Sequence, residues 1–424
     1  MIVAHATAST ECGTIPFVTT HLTPDHALIT SPNMTPTERR ASGTLASIFA
    51  LRMLGLFLVL PVFAIHARQY PGGDDPALIG MAMGIYGLTQ GVLQIPFGMA
   101  SDRLGRKRVI VFGLLVFALG SLLAAGAESV MGLLAGRALQ GAGAVSAAVT
   151  ALLADLTRDS VRTKAMALVG ASIGLMFALS LVLSPLLAGW IGLSGLFILT
   201  AVLALMGVLV VLWAVPEEPQ MHKDAARGGL LHVLRHPALL RLNVGVFVLH
   251  AVQLAMWVAI PAFLVQAGLA SDQHWRIYLP AVLGSFVLMG GVLFPLERRG
   301  YLRALFLASI ALIAGVQVAL LWVASGAPSI EALAWLLFAF FCGFNVLEAT
   351  QPSWVSRVAP VASRGAAMGV YNTLQSLGFF VGGWMGGQLV KNHGTQGLFL
   401  SCAALMVVWF VVAWPMVAPA RAPS

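Results

Sequence analysis

Long apolar stretches limit what this chain can fold into more than any motif does. A helix needs roughly 20 apolar residues to cross a bilayer, and the sequence contains twelve such stretches. The predicted spans lie near 43–66, 78–100, 109–127, 131–153, 165–188, 193–214, 242–266, 276–296, 303–324, 328–351, 365–390 and 395–417. Only 9% of the 424 residues are charged, whereas soluble proteins have about 25%. The chain is therefore predicted to be an all-α polytopic membrane protein.

The spacing of the spans divides the chain into two halves. Segment 216–241 is the one long connection, with six spans on either side of it. We therefore predict an N-terminal six-helix bundle over 42–215, a cytoplasmic linker over 216–241 and a C-terminal six-helix bundle over 242–417. The polar stretches 1–41 and 418–424 are predicted to be cytoplasmic tails, the first of them disordered.

Basic residues are distributed unevenly between the two sides of the predicted spans. With the N-terminus inside, nineteen of the 24 Lys and Arg residues fall on the inner side, and only Arg68, Arg276 and Lys391 fall in outer loops. Because basic residues concentrate on the cytoplasmic side, we predict cytoplasmic termini in a bacterial-type inner membrane. Topology accounts for the net charge of +8, so no nucleic-acid partner is predicted. The three cysteines are too scattered to predict a disulfide framework or a metal site.

The two halves resemble each other in sequence. After span 2 the chain reads "ASDRLGRKRVI", which aligns with "PLERRGYLRAL" after span 8 at an offset of 195 residues. After span 4, "RTKAMALVG" aligns with "RGAAMGVYN" after span 10 at an offset of 202. Such repeats are typical of transporters with a substrate site between two pseudo-symmetric bundles. We therefore predict alternating access around a central cavity.

The loop "GMASDRLGRKR" resembles the signature loop of the major facilitator superfamily of secondary transporters, which joins spans 2 and 3. The matching residues are Gly98, Asp102, Arg103, Gly105, Arg106, Lys107 and Arg108. The run "AGRALQGAGA" resembles the span-4 motif of that family, and "GIYGLTQGVLQIPFGMASDRLGRK" is most similar to its drug–proton antiporters of the YajR type. The resemblance covers about 42–417 and implies the major facilitator fold of twelve helices.

The resemblance also implies a role for the charged loop. In that family the loop latches the two helical subdomains in the outward-facing state, so we expect a conformational latch and not a ligand site. Charge placed only for topology would account for Arg108, but not for Asp102 between two glycines, which is matched by Glu297 in the repeat. Antiporters of the family carry a Gly-Pro-x-x-Gly-Gly element in span 5. This chain reads "SPLLAG" from Ser184, which departs from that pattern for exporters.

Four ionisable residues fall inside predicted spans, where a charge is costly and therefore usually functional. Glu348 is predicted to exchange protons or contact a cationic substrate, the alternative being a fixed ion pair. Histidine side chains ordinarily titrate in the working pH range, so His250 is a second candidate for proton coupling, with a packing role equally open. Arg52 needs an anionic partner or water. The resemblance links Arg137 to proton coupling, and the alternatives are capping of carbonyls or a pair with Glu128.

Five polar residues are further candidates for lining the central cavity. The alternative for each is a helix–helix hydrogen bond worth about 1 kcal/mol or less. They are Tyr86, Gln90, Asn345, Asn372 and Gln375.

These features together predict a secondary active transporter. The resemblance implies proton-coupled efflux of small amphipathic compounds or drugs, driven by the proton gradient with no other cofactor. The expected partners are a small-molecule substrate, protons and the lipid bilayer, and the chain is expected to be a monomer. A proton-linked sugar or metabolite carrier is the alternative, followed by a non-transporting membrane sensor. The sequence has no Walker A loop or hydrolase motif, so we do not predict an ATP-driven pump or an enzyme.

Overall fold

The computed structural model describes residues 33–218, 230–360 and 363–417, which are folded mostly into α-helices. In chain order the helices are α1 Pro36–His66, α2 Pro76–Leu104, α3 Arg106–Ala125, α4 Val130–Ala142, α5 Ser146–Asp155, α6 Asp159–Trp213, α7 Leu230–Arg235, α8 Pro237–Gln266, α9 Trp275–Arg298, α10 Leu302–Ser325, α11 Ile330–Val358 and α12 Arg364–Ala413. Two short 3₁₀ helices, Ala67–Gln69 and Ser271–Gln273, lie between them.

Nine helical stretches in the described part of the chain are long and apolar enough to cross a membrane. Two of these, Lys164–Trp213 and Arg364–Ala413, are each 50 residues long. Each is interrupted at one glycine, Gly192 or Gly394, whose φ is +66° or +67°. These interruptions coincide with the predicted junctions between spans 5 and 6 and between spans 11 and 12. The prediction of an all-helical membrane fold is confirmed, whereas the count of twelve spans stays a prediction.

The internal repeat is also present in the backbone. Gly192 and Gly394 are 202 residues apart, which is the offset that aligns the loops after spans 4 and 10. Gly105 and Gly300 are 195 residues apart, and both have positive φ, at +98° and +87°. Positive φ is disfavoured for residues with a Cβ atom. Equivalent turns in the two halves are therefore made by glycines at equivalent positions.

The helices extend into segments that were predicted to be tail and linker. The first helix begins at Pro36 and not near residue 42, because Thr35 and Glu38 form a capping box. Thr35 Oγ1 accepts from the Glu38 N–H at 3.2 Å, and Glu38 Oε2 accepts from the Thr35 N–H at 2.8 Å. Within the predicted linker 216–241, α7 is helical and α8 begins at Pro237.

The single helix expected over 131–153 is interrupted near its middle. The helix α4 ends at Ala142, and α5 begins at Ser146. A Cβ atom on Gly143, in the interruption, would lie 2.4 Å from the carbonyl oxygen of Gly113 on α3. The backbones approach so closely only because this residue is glycine, and the hydrophobic pattern of the span gives no sign of that tertiary contact.

Charged contacts define the two ends of the bundle. At one end, Arg106 Nε lies 3.1 Å from Asp155 Oδ2, and Arg303 Nε donates to the carbonyl of Met416 at 2.7 Å. We call this end the basic face. The opposite end, which we call the distal face, carries Asp75.

The two halves pack backbone to backbone near the distal face. A Cβ atom on Gly80 of α2 would lie 2.2 Å from the carbonyl oxygen of Gly383 on α12, and one on Gly383 would lie 2.5 Å from that of Gly80. At the outer end of this contact, Lys391 Nζ donates to Asp75 Oδ2 at 2.8 Å. These four residues form what we call the distal seam, which closes this end of the bundle.

The same two helices separate towards the basic face. A Cβ atom on Gly91 of α2 would still be 3.4 Å from Leu377 of α12, but Ile95 and Met99, further along the same face of α2, are 48% and 53% exposed. The halves are therefore closed at the distal face and apart at the basic face. This is one of the two states that alternating access requires.

Adding one methyl group to the distal seam should open the distal face. Gly80→Ala forces α2 and α12 apart, because its Cβ has no room beside the Gly383 carbonyl. We expect spin labels on the exposed residues Gln69 and Asn392 to show a longer distance by double electron–electron resonance. Gly369→Ala adds the same methyl group where space is free and should leave the distance unchanged. A similar distance change in both variants would contradict the role of the seam.

The ion pair of the distal seam should add a weaker, pH-dependent contribution. The hydrogen bond from Lys391 holds the pKa of Asp75 below its usual range, so the pair stabilises the seam at neutral pH and is lost as the pH falls below about 4. Both side chains are more than a third exposed, so this contribution is below about 1 kcal/mol. We expect Asp75→Asn to lengthen the distal label distance slightly at neutral pH and to flatten its response to acid. A full acid response in Asp75→Asn would assign that response to another group.

Candidate functional site

Three predicted residues meet in the interior of the C-terminal half. His250 on α8, Glu348 on α11 and Gln375 on α12 form what we call the C-half triad. His250 Nε2 lies 3.3 Å from Glu348 Oε2, while Gln375 Nε2 lies 2.8 Å from His250 Nε2 and 3.3 Å from Glu348 Oε1. The side chain of His250 is only 2% exposed and that of Glu348 is 37% exposed. Glu348 is therefore the more accessible of the two ionisable members of the triad.

The hydrogen bonds of His250 limit where its protons can be. Nδ1 lies 2.8 Å from the carbonyl of Val246, which can only accept, so Nδ1 carries a proton. In the neutral ring Nε2 then accepts a hydrogen bond from Gln375 Nε2 at 2.8 Å. When the ring is protonated, Nε2 is a donor that can bond to Glu348 Oε2, and the NH2 group of Gln375 can no longer donate to it. The triad therefore has two hydrogen-bonding states that differ by one proton.

Aromatic rings surround the triad and extend across the two halves. The rings of Phe344 and Phe379 meet the His250 ring edge to face, with centroids 6.0 and 4.8 Å away. Phe177 of the N-terminal half lies 6.2 Å from Phe344 and 6.1 Å from Phe341. The apolar surroundings of His250 therefore depend on how the two halves are arranged.

Arg52 and Arg137 flank the ring of Tyr86 in the N-terminal half, and each is 1% exposed. Arg52 donates to Tyr86 Oη at 2.7 Å and to Ser146 Oγ at 3.0 Å. Arg137 donates to Gln140 Oε1 at 3.1 Å, and its guanidinium carbon lies 5.1 Å from the centroid of the Tyr86 ring. We call the two arginines with Tyr86 the arginine cluster.

The partners of the arginine cluster are uncharged. In the part of the chain that the structure describes, neither Arg52 nor Arg137 forms an ion pair, and the Nε of each lacks a hydrogen-bond partner. The alternative pair of Arg137 with Glu128 is not formed there. Burying a charge without a counter-charge is costly, which favours a functional role for the cluster.

The remaining cavity candidates take different positions. Asn345 donates to Ser285 Oγ at 2.8 Å, so it joins α11 to α9 within the C-terminal half and is not part of the triad. Gln90 on α2 and Asn372 on α12 are half-buried. Of the five candidates, only Gln375 and Tyr86 form one of the hydrogen bonds described above with a predicted ionisable residue.

The predicted latch residues lie on the basic face, within the N-terminal half. Asp102 forms an ion pair with Arg106, and Arg106 in turn contacts Asp155. Arg103 is exposed and Gly98 is half-buried. Because α2 and α12 are apart at this level, the charges of the loop are satisfied inside their own half in this conformation.

Glu218 holds the charged loop to the chain that leaves α6, a contact that the sequence pattern did not predict. Its carboxylate accepts from the N–H of Arg106 at 3.0 Å and from the N–H of Lys107. Lys107 Nζ also donates to the carbonyl of Val215 at 2.8 Å. A carboxylate is favourable at a helix N-terminus, here that of α3 after the turn at Gly105. The signal in the sequence was the acidic pair 217–218, which directly follows span 6.

Asp102→Asn should alter the balance between conformations. The Asp102 side chain is 60% exposed here, so its ion pair contributes little to this state, whereas a latch would stabilise the opposite one. We expect the variant to reduce the distal-open population reported by labels on Gln69 and Asn392, and to slow transport. Arg108→Gln, which neutralises an exposed residue of the same loop, should change neither. An unchanged balance in Asp102→Asn would exclude the latch.

Comparisons with known proteins agree with this architecture. A family model described as Major Facilitator Superfamily matches residues 45–382 and 288–424. The inner membrane transport protein YajR of Escherichia coli is 43% identical over 394 residues, which cover 91% of this chain and 85% of YajR. The quinolone resistance protein NorA of Staphylococcus aureus is 24% identical, with 83% and 90% covered. The crystal structure of a D-xylose–proton symporter is similar in fold, with a TM-score of 0.72, 16% identity and coverage of 89% and 97%.

The helical architecture, the repeated glycine turns and the charged loop thus occur in a chain that the family model matches over most of its length. The chain belongs to the major facilitator superfamily.

Proposed function

We propose that this protein is a proton-coupled antiporter that exports small amphipathic compounds by alternating access. The observation that carries the proposal is the C-half triad, where a partly exposed carboxylate lies 3.3 Å from a buried histidine. Relatives support the export of drugs: NorA is named for quinolone resistance, and MdtH of Aeromonas salmonicida, 25% identical, for multidrug resistance.

The triad would couple proton movement to substrate movement by competition. A proton from the cavity is taken up at Glu348 and can be shared with His250, which then donates to Glu348. A substrate with a cationic or hydrogen-bond donor group competes for the same carboxylate oxygens. Because only one of the two occupies Glu348 at a time, proton uptake and substrate release alternate.

The orientation follows from the distribution of basic residues. We propose that the basic face is cytoplasmic, with both termini on that side of a bacterial-type inner membrane. The conformation described here then opens to the cytoplasm, where an exporter takes up its substrate. The proposal includes function as a monomer, with the proton gradient as the only energy source.

The substrate-triggered release of protons tests this function. Inside-out vesicles containing the protein are energised, and a fluorescent dye follows the internal pH while cationic, neutral and anionic amphipathic compounds are added. We expect a subset of compounds to release protons, and Glu348→Gln to abolish that release because its amide cannot be ionised. Glu331→Gln, which removes an exposed carboxylate near the start of α11, should behave like the parent protein.

The same assay separates the alternatives. Release that survives in Glu348→Gln would contradict the role of the triad. Saturable movement of one class of sugar or metabolite without drug response would favour a metabolite carrier. Ligand binding without any flux, in folded and inserted protein, would favour a membrane sensor.

A further inference from the structure

The interruption between α4 and α5 leaves a helix N-terminus inside the membrane. From Ser146 to the basic face, α5 has ten residues, which corresponds to a depth of roughly 14 Å, or about half the thickness of the hydrocarbon core. The first bond of this helix runs from the Val149 N–H to the Val145 carbonyl. The N–H groups of residues 146–148 precede it and have no acceptor within the helix. Val145, the N-cap residue, provides no side-chain cap.

Arg52 is aimed at this helix N-terminus. Its Nη1 donates to the hydroxyl of Ser146, the first residue of α5, at 3.0 Å. It is 99% buried, and its Nε has no partner among the described residues. A guanidinium and a helix N-terminus thus converge on one point in the N-terminal half, and both favour negative charge.

The surrounding groups leave this positive charge uncompensated. Arg52 has the hydroxyls of Ser146 and Tyr86 as partners, and Arg137 adds a second positive charge on the other side of Tyr86. No carboxylate pairs with either arginine in the described ranges. Hydrogen bonds to neutral groups are weaker than those between charged partners, so an oxyanion would displace the two hydroxyls.

We propose that Arg52 and the N-terminus of α5 form a binding site for the carboxylate of the transported compound. The site rests on the proposed transport function and specifies its substrate class: amphipathic molecules that carry a carboxylate. A planar carboxylate can accept two parallel hydrogen bonds from the guanidinium of Arg52 and further bonds from the N–H groups of α5. In transporters, interrupted helices direct their N-termini at anionic substrate groups in this way.

Binding in the absence of a proton gradient tests the site. The purified protein in lipid nanodiscs is titrated at neutral pH with phenylbutyrate or phenylbutyramide, and its thermal unfolding midpoint is recorded. We expect phenylbutyrate to raise the midpoint saturably and the neutral amide to bind at least about tenfold more weakly, because loss of a charged hydrogen bond costs about one tenfold step or more. A titration with potassium chloride separates a substrate carboxylate from an inorganic anion.

Two variants remove the site in different ways. Arg52→Gln removes the guanidinium, and Ser146→Asp keeps it but supplies an internal carboxylate that neutralises it. Both should weaken phenylbutyrate binding about tenfold or more. Ser146→Asn has the size of the aspartate variant without its charge and should weaken binding less than Ser146→Asp does. Arg276→Gln, which changes an exposed arginine far along the chain, should retain binding in full. If Arg52→Gln fails to fold, the Ser146 pair still decides the question.

Four results would overturn the proposal. They are equal stabilisation by the amide, equal saturable stabilisation by chloride, no stabilisation by phenylbutyrate, and binding that survives in both Arg52→Gln and Ser146→Asp. Because the assay involves no proton movement, its outcome is independent of the vesicle experiment. Carboxylate binding without proton release would reject antiport and keep the site.

Discussion

Close backbone contact between α2 and α12 is the constraint on which the rest of this conformation depends. Gly80 and Gly383 bring the two halves so near that neither position has room for a methyl group. The contact lies near the distal face, so the helices diverge towards the basic face and expose Glu348 in the interior. A bulkier pair of residues would separate the halves at the distal face, and the conformation described here would be lost. The seam thus decides from which side the ionisable centres are reached.

The ionisable groups at membrane depth are divided by sign between the two halves. The N-terminal half carries Arg52 and Arg137 without a carboxylate partner among the described residues, whereas the C-terminal half carries Glu348 beside His250. Pairing these charges within one half would lower the cost of burying them. Their separation keeps each centre available for an exchangeable partner, which in our proposals is a proton at the triad and a carboxylate at Arg52.

The sequence predicted the membrane class, the repeat and the ionisable residues inside the spans. It predicted the hydrogen-bond partners of those residues less well. The length of an apolar stretch predicts a membrane-spanning helix, and an ionisable residue inside such a stretch identifies Glu348, His250, Arg52 and Arg137. Both signals are local in the sequence. Partners depend on tertiary packing. Asn345 shares a helix with Glu348 but bonds to α9, and helical periodicity cannot show which neighbouring helix a side chain meets. The interruption before Ser146 was missed for the same reason, since the close approach of another helix, and not the apolar pattern, permits it.

The proposed exchange of substrate for protons limits the class of substrate further. A substrate carrying only a carboxylate would not compete with the proton for the oxygens of Glu348, so its binding would not displace the proton. Antiport requires the opposite, namely that substrate binding expels the proton. A cationic group placed at Glu348 does this, because it occupies the carboxylate oxygens that the proton would otherwise use. A zwitterion meets both requirements: its carboxylate binds at Arg52, and its cationic group competes with the proton at Glu348. Under the proposed antiport, the division of charge between the halves therefore favours amphipathic zwitterions over simple organic anions or cations as substrates.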